Sequence, residues 1–174
     1  MQPKTMLAVA AYAATIPLAN WMIGNVGTCV PNGPCLIPVG FGLMAPSGVL
    51  IVGLALVLRD VVQELSGVRG SLIAIATGAG LSWLFASPFL VLASVAAFLL
   101  SELADLAVYT PLRRERLYIA ILLSGLVGAA VDSAVFLFIA FGSLDFIAGQ
   151  IVGKLWMSLI GAALLFVVRR RAVA

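Results

Sequence analysis

Long apolar runs separated by short polar breaks dominate this chain. A helix that crosses the hydrocarbon core of a bilayer needs about 20 mostly apolar residues. Six stretches approach or meet that length, at 5–24, 42–61, 71–87, 89–109, 118–142 and 147–168, the third being short. The pattern predicts an all-α membrane protein with a single transmembrane domain over residues 1–174, a bundle of six transmembrane helices.

The charges fall into the breaks with a bias. Lys4 precedes the first stretch, Arg59 and Arg69 mark the second connection, Arg113, Arg114 and Arg116 follow the fourth stretch, and Arg169, Arg170 and Arg171 follow the sixth. Connections 25–41, 87–89 and 143–146 hold no Lys or Arg. Because Lys and Arg concentrate in cytoplasmic loops, this alternation predicts that both the N and C termini are cytoplasmic. The first stretch reads as a span rather than a cleaved signal peptide, since the small-residue run Ala8-Val9-Ala10 comes too early for a cleavage site.

Composition agrees: of 174 residues, 63% are hydrophobic and 10% charged, far from the soluble average. The absence of His removes His-based triads, His-ligated haem and the common His-containing zinc sites. No Gly-rich loop ending in Gly-Lys-Ser/Thr is present, so the chain is not an ATPase of that kind. The net charge of +3 marks one side of a membrane rather than a nucleic-acid footprint. The lipid bilayer is the expected surrounding, with no nucleic-acid partner, no metal and no cofactor. Cys29 and Cys35 share the loop at 25–41, where an oxidising exterior permits a disulfide; paired and free thiols are both open readings.

Within a span, an Asp, Lys or Arg at mid-helix costs about 2.5–3.5 kcal/mol on insertion scales. Such residues face a cavity or a partner and are candidate site residues. Glu102 and Asp105, three apart on one helix face, could accept N–H donors from a ligand or carry protons; the alternative is a snorkelling pair near Arg113–Arg116. Asp132 lies mid-stretch, with Lys154 as its natural ion-pair partner. Gln150 shares a helix face with Lys154, and Gly149 and Gly153 form a small-xxx-small pattern that suits close packing. Asn20 could bond a ligand or another helix. Arg59-Asp60-Val61-Val62-Gln63-Glu64 reads as an exposed, mutually neutralised helix end from which Asp60 is the residue that points inward. Pro and Gly crowd 38–42 and 45–48, a candidate external gate, since broken backbone at membrane depth survives only where it is buried or lines a cavity. Trp21, Trp83, Tyr109 and Trp156 offer flat surfaces or interface anchors.

Several of these segments together resemble the VUT family of vitamin uptake transporters, which includes queuosine-precursor transporters. They are Gly42-Leu43-Met44-Ala45-Pro46-Ser47-Gly48, Leu58-Arg59-Asp60-Val61-Val62-Gln63, the stretch from Glu102 to Pro111, Asp132-Ser133 leading to Phe138-Ile139-Ala140-Phe141, and Lys154. The likeness runs from Asn20-Trp21 to Lys154. It departs where Glu102 stands for a Gln of some relatives, Ala129 for an Asn and Ser133 for a common Thr, and the chain looks trimmed at both ends.

The resemblance implies a six-helix importer of 7-cyano-7-deazaguanine (preQ0) or 7-aminomethyl-7-deazaguanine (preQ1). It implies Asn20, Asp60, Asp105, Asp132 and Lys154 as substrate-binding residues, to which intramembrane burial adds Glu102 and Gln150. A self-sufficient carrier and a substrate-binding subunit that works with a coupling subunit and an external ATPase both fit, as does a homo-oligomer. A non-transporting membrane scaffold is the alternative class, and would leave the buried carboxylates unexplained. An intramembrane enzyme is disfavoured, because no nucleophile–base constellation is visible.

Overall fold

The computed structural model describes residues 3–31, 33–88 and 90–173, with side chains described as far as residue 164. Phe89, where the fourth stretch was expected to start, and the side chains of Arg169, Arg170 and Arg171 lie outside the described residues. Five helices are described: α1 (Pro3–Asn25), α2 (Val49–Phe85), α3 (Val91–Leu112), α4 (Leu117–Phe141) and α5 (Ile147–Val173). Between α1 and α2 lies a small antiparallel sheet of β1 (Thr28–Cys29), β2 (Cys35–Gly40) and β3 (Leu43–Pro46), in that order.

This corrects the expected bundle of six transmembrane helices. Among the described residues four helices are long and apolar enough to cross a membrane: α1, α3, α4 and the Ile147–Leu164 part of α5. The second and third expected stretches fall in a single element, α2, whose backbone leaves helical geometry only at Gly67 (φ 72°, ψ −178°). The expected break at 62–70 lies between two apolar runs, with Arg59 beside it and Arg69 within it. That segment holds no Pro and has Gly only at 67 and 70, so the chain stays helical on both sides of one bend. Residue 67 needs the left-handed φ that Gly adopts without strain. The two arms fold back along α1: a Cβ at Gly48 would lie 2.7 Å from the Ala19 carbonyl oxygen, and one at Gly78 would meet Ile16 at 2.9 Å.

The start of α2 also moves. Residues 43–46, expected inside a helix, form β3 instead. Phe41 and Gly42 both take positive φ (53° and 72°) and close β2 onto β3 as the two-residue turn that matches strand twist. Leu36 pairs with Pro46 and Ile37 with Ala45. A disulfide joins Cys29 to Cys35 across the first hairpin, and these residues are direct cross-strand partners. Gly27 (φ 101°) sits so close to the Leu36 carbonyl that a Cβ would collide with it.

The surface is apolar outside and polar within, the reverse of a soluble domain. Leu7, Trp83, Leu84, Leu92 and Phe138 are exposed, whereas Arg59, Gln63, Asp105, Ser133 and Lys154 are fully buried. In lipid the backbone must satisfy itself within the helix, and costly polar side chains turn inward. The molecule is an integral, multi-pass membrane protein.

Candidate functional site

The charged interior is carried by α2, α3, α4 and α5, with Tyr12 and Asn20 added from α1. On α5, close packing sets where the side chains point. A Cβ at Gly149 would collide with the Met44 carbonyl, one at Gly153 would touch Val49 at 2.9 Å, and one at Gly53 of α2 would lie 2.8 Å from the Lys154 backbone. The small-xxx-small pattern therefore seats α5 on β3 and the first arm of α2, with Gln150 and Lys154 turned inward. The Lys154 Nζ donates to Asp132 Oδ2 at 2.7 Å, Ser133 Oγ at 2.7 Å and Gln150 Oε1 at 2.5 Å. Its three donors are all engaged.

A second cluster is built around Arg59, whose guanidinium is completely buried. Its Nη1 meets Asp60 Oδ1 at 2.9 Å, Nε meets Glu102 Oε2 at 3.1 Å and Nη2 meets Asp105 Oδ2 at 2.7 Å. Gln63 Oε1 accepts from Nη1 at 3.0 Å, the Tyr12 hydroxyl donates to Glu102 Oε1 at 3.3 Å, and the Tyr109 ring lies 5.5 Å from the guanidinium carbon. One cation thus faces three carboxyl groups. Buried ion pairs of this kind add little net stability, because desolvation offsets the attraction.

Between the clusters lies a small cavity of about 90 Å³, room for several waters or a small flat molecule. Asn20, Glu102, Asp132, Gln150 and Lys154 line its polar parts, with Ser82, Ser94 and Ser101. Phe98, Phe136, Ile16 and Leu56 supply apolar wall. Of the two Pro/Gly-rich stretches only the second reaches it, through Pro46 and Gly48 beside the sheet.

Five of the seven candidate residues therefore come together at one cavity. Asp60 and Asp105 do not reach it; both are held on Arg59. The partner of Glu102 and Asp105 is Arg59 rather than the Arg113–Arg116 cluster, and in the helix end expected to be exposed Arg59, Asp60 and Gln63 form a buried hub while Glu64 stays exposed. Tyr12, Ser82, Ser94, Ser101, Phe98 and Phe136 went unnoticed in the sequence because Ser, Tyr and Phe are unremarkable in apolar helices. Of the four aromatics singled out, none lines the cavity: Trp21 and Trp83 are exposed, the Trp156 indole donates to the Val39 carbonyl at 2.9 Å, and Tyr109 covers Arg59.

Several groups facing the cavity keep bonding capacity. Among the described residues the Gln150 amide nitrogen has no hydrogen-bond partner while its oxygen holds Lys154, and Asp132 has Oδ1 beyond its ion pair. Asn20 donates to the Ile16 carbonyl at 2.9 Å and accepts from Ser94 at 3.4 Å, which leaves one amide N–H. The arrangement can hold a small molecule with both donors and acceptors on its edge and apolar faces.

No curated protein and no solved structure matches the chain. Residues 84–168, which carry Glu102, Asp105, Asp132, Gln150 and Lys154, match the family model described as "putative vitamin uptake transporter". Over that segment, just under half of the chain, the protein is similar to a family of membrane transporters.

Proposed function

We propose that the protein imports queuosine precursors, preQ0 or preQ1, across the cytoplasmic membrane, and that the cavity between the Arg59 and Lys154 clusters is where they bind. The observation that carries this reading is the pairing of a carboxylate with a free amide donor around one small, flat-walled space. A 7-deazaguanine presents a ring N–H and an amino group on one edge, and Glu102 can accept both in charge-assisted hydrogen bonds, the strong class. Its carbonyl needs a donor. Gln150 and Asn20 have uncommitted amide N–H groups, whereas Lys154 does not, so Lys154 serves to fix Gln150 and Asp132. Phe98 and Phe136 offer surface for the ring faces. Asp60 and Asp105 act behind the site, through Arg59.

The test is the queuosine content of tRNA in cells unable to make preQ0, fed nanomolar precursor. Expression of the intact chain should restore queuosine, and Asp132→Asn should not at equal membrane abundance. Restoration by both proteins would remove Asp132 from the mechanism. No restoration by the intact chain, together with no binding of either base to the purified protein, would exclude this cargo.

A further inference from the structure

The cavity is open toward one end of the bundle and sealed toward the other. Toward the sheet, a vestibule walled by Trp21, Pro34, Phe85 and Phe141 shares Asn20 and Ile23 with the cavity. In the opposite direction no cavity-lining residue lies beyond Leu56 on the first arm of α2 or beyond Glu102 on α3. There the two helices run side by side in the same sense and are tied by a ladder of polar contacts. Arg59 joins Glu102 and Asp105. One turn further, Gln63 Nε2 donates to Thr110 Oγ1 at 3.0 Å. Glu64 then accepts from the Tyr109 hydroxyl at 3.2 Å and pairs with Arg113 at 2.8 Å. The ladder leads to the basic end of the molecule, where the bend at Gly67, Arg69 and the Arg113–Arg116 turn lie. Of the ladder residues, only Glu102 also lines the cavity.

We propose that this ladder is the closed gate on the basic side, and that Arg59 couples it to the ligand through Glu102. The idea rests on the transporter reading above. A ligand can shift a conformational equilibrium only by binding one state more tightly. Glu102 supplies that difference: with its Oε2 released by Arg59 Nε it is the better acceptor for ligand N–H groups, so occupancy favours the state in which the top rung is broken. Arg59 remains with Asp60 and Gln63 on its own helix, and α3 is then tied to α2 only by Asp105 and the lower rungs. Arg59 is thus a positioning residue that acts through Glu102.

The test places a reporter thiol on the cavity floor by Ser101→Cys, in the otherwise unaltered chain whose own two cysteines are disulfide-bonded. Oriented vesicles are treated on one face at a time with a small, membrane-impermeant methanethiosulfonate. With the ladder intact and no ligand, labelling is expected from the sheet side only. Adding Arg59→Gln, or Gln63→Ala with Thr110→Ala should the Arg59 variant fail to insert, should bring labelling from the basic side to the level of the sheet side. Labelling from the basic side with the ladder intact, or none there once the ladder is removed, would overturn the gate. Saturating preQ1 should open the basic side of the intact protein. A base shown to bind that does not open it would overturn the coupling. Bases that fail to bind would count against the cargo instead, and the ladder-removal arm would still decide the gate.

Discussion

The ammonium of Lys154 has three acceptors and no water-facing donor, so its removal strands Asp132 and frees Gln150. Breaking a buried pair from one side costs about 3–5 kcal/mol, because the remaining charge is uncompensated. Lys154→Ala should therefore lower the thermal midpoint of the purified protein in detergent. Adding Asp132→Asn should return most of that loss while leaving ligand binding impaired. An equal loss in the single and double variants would mean that the pair is not what holds α4 to α5. At this scale the sequence was informative where membrane burial is expensive: Glu102, Asp132, Gln150 and Lys154 stand out in apolar helices and do share one cavity. Arg59 was missed because a charge near an expected helix end looks solvated. Its burial follows only from α2 continuing past Glu64 and from α3 presenting two carboxylates at the same level.

Helices α1, α3, α4 and α5 were legible as apolar runs, whereas α2 was not. Charges at Arg59, Asp60, Glu64 and Arg69 resemble a loop, yet nothing in 62–66 breaks a helix. The sheet was equally hidden, because Leu43–Pro46 is as apolar as the helix that follows it. The seams between elements are testable. Gly149 abuts β3, where any Cβ meets the Met44 carbonyl backbone; overpacking of this kind typically costs about 1–3 kcal/mol. Gly149→Val should lower the thermal midpoint, and by more than Gly80→Val, since a Cβ at Gly80 meets nothing. Equal effects would discount the seam. The disulfide closes a hairpin loop, with its cysteines six residues apart. Loop-closure entropy for so short a loop is worth about 2 kcal/mol. Replacing both Cys29 and Cys35 with Ser should lower the melting midpoint of the intact protein, with protease nicking appearing at 30–34. An unchanged midpoint and no nicking would show that the strands hold without the bond.

Taken whole, the molecule is a multi-pass bundle with an apolar exterior, a small polar-edged cavity, a vestibule on the sheet side and an ion-pair ladder on the basic side. A rigid scaffold would have no use for two buried charge clusters that flank an open space, since apolar packing would serve at lower desolvation cost. The most direct measurement is equilibrium binding of labelled preQ1 to the purified protein, compared with Glu102→Gln. Saturable single-site binding is expected. Loss of hydrogen bonds to a charged acceptor, about 1.5–3 kcal/mol, should weaken the variant roughly tenfold to a hundredfold. Absence of saturable binding, or equal affinity in the two proteins, would contradict the assignment of this cavity to a 7-deazaguanine.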